Sequence, residues 1–149
     1  MKMKICLACS AGGHLTELLQ IKKAFEGYEH FFVTFKREDT INFKERVYFA
    51  EDPKRNFFKL LKNIIQSAKI LLKEKPDVII TTGAGVVVPL CYLGKLRGAK
   101  IIYIESFSRI DSASLSGKLI YLIADLFFVQ WKVLLQKYGK KAQYGGSVF

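Results

Sequence analysis

Two glycine-rich turns are the features of this sequence best suited to chemistry. The first, Ser10-Ala11-Gly12-Gly13-His14, follows a short apolar run and precedes an amphipathic one. The second, Thr82-Gly83-Ala84-Gly85, also separates an apolar run from a helical pattern. A strand, a glycine turn and a helix in succession point backbone N–H groups and a helix amino terminus at a phosphate. We therefore predict one phosphate-binding cleft, built by Ser10, Gly12, Gly13, Thr82, Gly83 and Gly85.

His14 and Glu105 are the titratable residues placed best for acid–base work. His14 heads the first predicted helix, where an imidazole contacts a phosphate or accepts a proton. Glu105 ends an apolar run, and the carboxyl end of a parallel strand faces the ligand crevice. A capping role for His14 and a solvated strand end for Glu105 stay open as alternatives. Glu17, in the first helical turn, is expected only to complement the helix dipole.

Standard nucleotide, redox and metal motifs are missing from these positions. The first turn lacks the outer glycines of G-x-G-x-x-G, and Ser116-Gly117-Lys118 lacks the earlier glycine of a Walker loop. Cys6 and Cys9 stand three apart in an extended segment, so their side chains point to opposite faces. We therefore predict buried thiols, no cofactor and no metal.

Short apolar runs alternate with helical patterns, and these elements must position the turns. The runs predicted as strands are Lys4–Ala8, His30–Phe35, Val47–Ala50, Val78–Thr81, Ile101–Ile104 and Leu126–Val129. Helical spacing covers Thr16–Phe25, Asn56–Lys73, Val87–Leu96 and Leu115–Ile123. Strands that are apolar on both faces are typical of a parallel sheet covered by helices. We predict an α/β fold with a Rossmann-like, doubly wound, mostly parallel sheet over residues 1–144, followed by a tail at 145–149.

The charge balance favours an anionic partner. The 149 residues carry 24 Lys and Arg against 13 Asp and Glu, a formal net charge of +11. Such a balance suits nucleic acid, an anionic membrane surface or a phosphorylated substrate. An RNA-binding module rests on charge alone, because no RNP motif is present, so we expect no nucleic acid partner. The longest uncharged run, residues 78–94, contains three glycines and Pro89, which disfavours a membrane span.

The segment from Lys54 to Lys75 combines a wide apolar stripe with flanking cations. Phe57, Phe58, Leu61 and Ile64 share one stripe of a helix. The neighbouring cations are Lys54, Arg55, Lys59 and Lys62. Aromatic and basic side chains together suit contact with an anionic bilayer. We predict peripheral membrane contact through these residues, with a buried helix and a basic outer face as the alternative.

Five segments, taken in chain order, resemble the Alg14-like proteins of polysaccharide and lipid-linked oligosaccharide synthesis. They are Ser10 to Glu17, Thr82 to Gly85, Glu105-Ser106-Phe107-Ser108-Arg109, Val129-Gln130-Trp131 and Tyr144-Gly145-Gly146. The resemblance implies the amino-terminal half of a GT-B glycosyltransferase and extends distantly to the MurG type. Where that type has His-Glu-Gln-Asn, this chain has Tyr103-Ile104-Glu105-Ser106, which keeps only the carboxylate.

The resemblance also implies a function that requires a second chain. With an Alg13-like partner holding most of the UDP-sugar site, the protein would transfer N-acetylglucosamine or another hexose to a polyprenyl-diphosphate-linked acceptor. It would work at the cytoplasmic face of the membrane and be inactive alone. His14 and Glu105 would act on the acceptor, and Ser106 and Arg109 would join the glycine turns around its diphosphate. The tail would dock on the partner through Gly145, Gly146, Val148 and Phe149. A non-catalytic membrane-recruiting scaffold and a self-sufficient nucleotide-binding enzyme are the alternatives.

Overall fold

The computed structural model describes residues 2–149 and contains one seven-stranded sheet. Its strands are β1 (Lys4–Cys9), β2 (Glu29–Thr34), β3 (Val47–Phe49), β4 (Val78–Gly83), β5 (Lys100–Ile104), β6 (Leu126–Val129) and β7 (Ala142–Tyr144). They lie in the order β3-β2-β1-β4-β5-β6-β7, and each neighbouring pair is parallel. This order confirms the predicted doubly wound sheet, which is parallel throughout.

Six α-helices and two 3₁₀ turns connect the strands. The helices are α1 (Gly13–Gln20), α2 (Glu38–Ile41), α3 (Phe57–Glu74), α4 (Val88–Leu96), α5 (Leu115–Tyr121) and α6 (Leu134–Tyr138). The 3₁₀ turns cover Lys22–Phe25 and Gly85–Val87. The first predicted helix therefore begins and ends earlier than expected, and the short helices α2 and α6 were not predicted. In residues 2–149 no helix is both long enough and apolar enough to cross a bilayer.

Alternation along the strands divides the core between the two faces of the sheet. Cys6 and Ala8 of β1 pack on the face covered by α3, α4, α5 and α6, whereas Leu7 and Cys9 pack on the face covered by α1. Cys6, Cys9 and Cys91 are free and buried, which confirms the predicted buried thiols on opposite faces. Because burial raises the pKa of Cys9 and Cys91 to about 12, these thiols stay protonated and unreactive at neutral pH.

Capping residues fix where the helices beside the carboxyl edge begin. The Asn56 side chain accepts the Lys59 N–H at 3.0 Å and starts α3. The Ser114 hydroxyl does the same for α5 by accepting the Gly117 N–H at 2.9 Å. The helix α3 ends at Glu74, and its C-cap Lys75 is in the left-handed region at φ 49° and precedes Pro76.

Candidate functional site at the carboxyl edge of the sheet

Both glycine turns lie at the centre of the sheet, where its connections change direction. Strands β1 and β4 are neighbours, and the strand order runs outward from this pair to β3 on one side and β7 on the other. Ligands of open α/β sheets bind in the crevice at this switch point, beyond the carboxyl ends of the strands. The fold thus brings together the two turns that the sequence places about 70 residues apart.

A pocket of about 300 Å³ opens beside the second turn, and we call it the His14 pocket. It contains four of the predicted site residues: His14, Gly85, Glu105 and Arg109. The rest of its lining comes from the second turn, the start of α4, and α5 with its cap, namely Ala84, Val88, Ser114, Leu115, Ser116 and Leu119. The volume is at the lower end of the range for small-molecule sites.

His14 lies in the first turn of α1, and one nitrogen of its imidazole makes no hydrogen bond within residues 2–149. Its Nδ1 is buried and has no hydrogen-bond partner in the described part of the chain. Its backbone carbonyl accepts the Thr82 hydroxyl at 2.9 Å, which ties the first turn to the end of β4. A buried nitrogen without a partner is uncommon, and the imidazole is thus available to a ligand in the pocket.

Glu105 is fully buried and its carboxylate is surrounded by donors from its own chain. The Ser114 hydroxyl donates at 2.8 Å, the Ser106 N–H at 2.9 Å and the Tyr103 hydroxyl at 3.1 Å. The Tyr138 hydroxyl also donates to it. These contacts exclude the solvated strand end. They make Glu105 the anchor of the segment between β5 and α5, which carries Arg109 and Ser114 into the pocket.

The tyrosines beside Glu105 are held in the protonated state. Burial first, and then the neighbouring Glu105 charge, raise the pKa of Tyr103 well above its ordinary value. Burial together with the hydrogen bond to Glu105 raises the pKa of Tyr138 as well. Both hydroxyls therefore remain donors at any physiological pH.

Two glycines allow this network to close. A Cβ on Gly117 would lie 2.6 Å from Glu105 Oε2 and 2.7 Å from Ser114 Oγ. A Cβ on Gly83 would lie 2.6 Å from the Tyr103 hydroxyl, and Gly83 has a φ of +103°. A side chain at position 83 would therefore clash with Tyr103. Gly117, which belongs to the Ser116-Gly117-Lys118 sequence that does not form a Walker loop, packs directly on the Glu105 carboxylate.

Glu17 has a larger role than the predicted complement to the helix dipole. It is buried and accepts the Ser106 hydroxyl at 2.8 Å, the Phe107 N–H at 3.1 Å and the Gln130 side-chain amide at 3.0 Å. This carboxylate joins α1 to the ends of β5 and β6. Ser106 is buried and occupied by Glu17, so its predicted contact with phosphate is corrected to a structural one.

The amides of the glycine turns are only partly free. The Gly12 N–H donates to Asp39 at 2.8 Å, the Gly83 N–H to Thr81 at 2.9 Å and the Ala84 N–H to Ser116 at 3.2 Å. Thr82 is buried and its hydroxyl donates to the His14 carbonyl, so its side chain is structural and the predicted contact with phosphate is corrected. The amides of Gly13 and His14 begin α1 and have no intrahelical acceptor. Ser10 is buried beside them.

The first half of α3 has an inverted distribution of side chains. Phe57 is 67% exposed, Phe58 79% and Leu61 42%. Ile64 is exposed as well. The buried face holds polar groups instead: Asn63 donates to the Glu51 carbonyl at 2.7 Å and to the Val86 carbonyl at 2.9 Å. The predicted alternative, in which the apolar stripe is buried, is therefore wrong for these turns.

The tail lies against its own chain. The Gly145 N–H donates to the Val129 carbonyl and the Val148 N–H to the Gln130 side chain, each at 3.0 Å. The Phe149 ring packs 5.4 Å from that of Phe107 and stays 63% exposed. Docking of this segment on a partner remains a prediction. Across residues 2–149, no cluster of three His, Cys, Asp or Glu side chains offers a metal site.

Comparison with known proteins assigns most of the chain to one family. The model of "Oligosaccharide biosynthesis protein Alg14 like" matches residues 51–148. The UDP-N-acetylglucosamine transferase subunit ALG14 of Candida albicans is 47% identical over 85 residues, which cover 53% of this chain and 39% of that protein. The human protein of the same name is 26% identical over 98% of this chain and 83% of its own length. The chain thus matches less than half the length of several of its curated relatives.

Solved structures share the fold at low identity. MurG of Acinetobacter baumannii superposes with a TM-score of 0.74 at 15% identity, over 88% of this chain and 42% of that one. The UDP-GlcNAc 2-epimerase of Methanocaldococcus jannaschii also gives 0.74, at 18% identity, over 97% of this chain and 46% of that one. At this identity the two structures indicate a shared Rossmann-like, GT-B-type half and no more.

Proposed function

This chain belongs to the Alg14-like family of oligosaccharide biosynthesis proteins, and we propose that it is the acceptor-binding subunit of a two-chain glycosyltransferase. An Alg13-like partner supplies most of the UDP-sugar site. The sugar transferred is N-acetylglucosamine or another hexose, and the acceptor is linked to a polyprenyl diphosphate. The observation that carries this proposal is the family match, together with relatives named as UDP-N-acetylglucosamine transferase subunits.

In this proposal the His14 pocket receives the acceptor sugar. An acceptor hydroxyl oxygen attacks the anomeric carbon of the donor, the bond from that carbon to UDP breaks, and UDP leaves with the electron pair. The hydroxyl proton passes to the His14 imidazole, whose Nδ1 has no partner within the described chain. Arg109 and the free amides of Gly13 and His14 face the negative charge of the acceptor diphosphate.

Glu105 acts on the acceptor indirectly in this scheme. Its carboxylate already accepts several hydrogen bonds from its own chain, so it is poorly suited to act as a general base toward the substrate. We assign it to positioning, since it holds the segment that presents Arg109 and Ser114. His14 is left as the single proposed catalytic residue.

Membrane contact through α3 completes the proposal. Phe57, Phe58 and Leu61 are exposed beside Lys54, Arg55, Lys59 and Lys62, an arrangement that suits the boundary between head groups and acyl chains. The protein then lies peripherally on the cytoplasmic face of the membrane. In this proposal the His14 pocket then receives its acceptor from that membrane surface.

A non-catalytic scaffold is the second candidate, and the saturated Glu105 carboxylate favours it. In that case the chain recruits its partner to the membrane and all chemistry lies in the partner. The two candidates differ in the effect of removing the His14 imidazole from an intact complex. Only the first expects turnover to fall.

Reconstitution tests the two-chain proposal. The purified chain, its partner and their complex are each assayed with UDP-N-acetylglucosamine and a polyprenyl-diphosphate-linked sugar. Only the complex should transfer, because half of a cleft does not hold donor and acceptor in attack geometry. Transfer by the purified single chain would refute the requirement for a partner and favour the self-sufficient enzyme.

A further inference from the structure

A second and larger pocket, of about 560 Å³, lies between the loops after β2 and β3 and the first half of α3. We call it the Lys36 pocket. Its charged lining consists of the cations Lys36, Arg37, Lys54 and Lys59 and the acids Glu51 and Asp52. It lies at the same carboxyl edge of the sheet as the His14 pocket, on the β2–β3 side of the first glycine turn. Nothing in the proposed transfer reaction uses it.

Both acids of this pocket are already occupied. Glu51 accepts a hydrogen bond from Lys62 at 3.0 Å, and that bond lowers the pKa of the Glu51 carboxyl. Lys62 is not part of the pocket lining, so it neutralises Glu51 from outside. Asp52 accepts the backbone N–H of Lys54 at 3.3 Å and holds the turn in which Lys54 has a left-handed φ of 48°. Lys59, which does line the pocket, also lies 3.9 Å from Glu51, so the four cations of the lining still outnumber its two acids.

Two of the cations have no internal counter-ion. Within residues 2–149, neither Lys36 nor Lys54 lies within 4.0 Å of a carboxylate. Arg37 has only a long contact, 3.7 Å from Nε to Asp39. Its Nη1 lies 3.1 Å from the position of a Cβ on Gly12, so Arg37 borders both the pocket and the first glycine turn. Positive charge concentrated in a concave surface raises the local concentration of anions.

The remaining wall is suited to the uncharged body of a ligand. Phe35 and Phe49 line the pocket and are half-buried. The side-chain amide oxygen of Gln66 accepts the backbone N–H of Glu51 at 2.7 Å, which leaves the side-chain NH₂ group of Gln66 as a further donor. Several cationic donors opposite apolar rings match a phosphate ester and disfavour a free inorganic ion.

The position of the pocket indicates where such a phosphate comes from. Lys54 lies in the turn just before α3 and Lys59 in the first turn of α3, where Phe57 and Phe58 are exposed, and both lysines line the pocket. With these rings at the bilayer boundary, the neighbouring Lys54 and Lys59 would lie near the level of the lipid phosphates. We propose that the Lys36 pocket binds the phosphate ester of a glycerophospholipid head group. This inference rests on the proposed membrane contact of α3.

Vesicle binding of the full chain tests the pocket. The probes are phosphatidylcholine vesicles with and without phosphatidylglycerol, and the variants are Lys36→Gln/Lys54→Gln and a matched control, Lys137→Gln/Lys140→Gln. The control removes the same charge from exposed positions near β7, at the far edge of the sheet. The pocket variant should lose about tenfold or more of its affinity for the anionic vesicles, and the control less than about threefold. Equal losses of vesicle affinity in both variants would contradict a specific phosphate site in the Lys36 pocket. They would show that binding depends only on the total positive charge.

Two further measurements separate this proposal from the proposed membrane contact. Neutral vesicles that carry a polyprenyl phosphate should bind the wild-type chain and the pocket variant equally, because the carrier's phosphate is assigned to the His14 pocket. Weaker binding of the pocket variant to these vesicles would overturn the assignment of the Lys36 pocket to a glycerophospholipid. Inorganic pyrophosphate should bind weakly, and the Phe57→Ser/Phe58→Ser variant should keep that affinity while losing vesicle binding. Normal vesicle binding by the pocket variant would contradict phosphate binding in the Lys36 pocket. It would remain consistent with the proposed membrane contact of α3. Tight pyrophosphate binding without any vesicle binding would overturn the lipid origin of the phosphate.

Discussion

His14 and Glu105 differ in what their polar atoms already bind. Every donor around Glu105 comes from the chain itself, whereas His14 Nδ1 has no partner in the described residues. A saturated carboxylate stabilises the loop that it holds, and an unsatisfied imidazole is available to a ligand. The two residues share a pocket, but their replacement is expected to have different effects. Replacing Glu105 should lower stability, and replacing His14 should lower turnover.

Replacement of Glu105 by Gln should therefore destabilise the protein. The neutral amide loses the charge that Tyr103, Ser114 and Tyr138 donate to, and its NH₂ group faces those donors. We expect a loss on the order of 2–3 kcal/mol in the free energy of unfolding, measured by chemical denaturation. The exposed Asp111→Asn variant, in the same segment, is the control and should change by less than about 0.5 kcal/mol. Wild-type stability of the Glu105→Gln variant would contradict the anchoring role.

The same network predicts a loss of stability at alkaline pH. Folding raises the pKa of Tyr103 and Tyr138, so the folded state holds their protons more tightly than the unfolded state. The contribution is complete below about pH 10, the ordinary tyrosine pKa, and is lost as pH rises toward the folded pKa. The buried cysteines change stability in the same direction from about pH 8.5 upward.

Tyr138→Phe isolates the tyrosine part of this effect. Its free energy of unfolding should fall less steeply above pH 10 than that of the wild type, while the exposed Tyr28→Phe control follows the wild type. Identical slopes for all three proteins would exclude Tyr138 from the alkaline transition.

Some site residues were open to prediction from the sequence and others were not. Glycine turns and a histidine after a strand are local patterns, so His14 and Gly85 were identified. Glu17 contacts Ser106 and Gln130, which are about 90 and 113 positions away, and Gly117 matters through the distant Glu105 carboxylate. No local pattern reports such contacts, because only the assembled sheet brings these residues together.

At the scale of elements, α3 has an apolar stripe whose direction the sequence left open. The pattern contained both the apolar stripe and the cations, and these fit a buried helix and a membrane-facing one equally well. Asn63 and Ser67 decide the direction, because Asn63 bonds to two backbone carbonyls and Ser67 bonds to Asn63 at 3.1 Å. A polar anchor beneath the first turns leaves Phe57 and Phe58 outside.

Phe57→Ser/Phe58→Ser should abolish vesicle binding without unfolding the protein. Both rings are largely exposed, so their removal should change the free energy of unfolding by less than about 0.5 kcal/mol each. Sedimentation with anionic liposomes measures binding, and thermal unfolding checks the fold. The matched control is Leu96→Ser, an exposed apolar residue at the end of α4. Unchanged sedimentation of the double variant would assign these rings to a protein interface.

At the scale of the whole molecule, the parallel sheet was the most predictable feature. Runs that are apolar on both faces specify buried parallel strands, and their alternation with helices specifies the winding. The short helices α2 and α6, of four and five residues, have too few turns to show a helical period. The hydrogen bonds from the glycine-turn amides to Asp39, Thr81 and Ser116 could not be predicted from the sequence either. Asp39 and Ser116 are brought to the turns by the tertiary fold, and the bond to Thr81 depends on the rotamer of its side chain.

The tail gives a prediction about assembly. Residues 145–149 pack on Gln130 and Phe107 and leave the Phe149 ring exposed at the carboxyl edge. Aromatic anchors often dominate protein interfaces. Truncation after Tyr144 should therefore weaken binding to the proposed Alg13-like partner by tenfold or more, about 1.4 kcal/mol, in a titration of purified chains. Unchanged affinity would place the interface on the loops of the cleft.

Turnover of the reconstituted complex tests the central claim, that this chain supplies the acceptor side of the reaction through His14. His14→Ala and His30→Ala are compared in complexes of equal stability and composition; His30 is the second residue of β2, at the opposite edge of the sheet. The His14 variant should transfer sugar about 10²-fold more slowly than the wild type, the usual scale for a lost acid–base group, while the His30 variant keeps its rate. If the His14 variant turns over at the wild-type rate, the chain is a scaffold and the chemistry belongs to its partner.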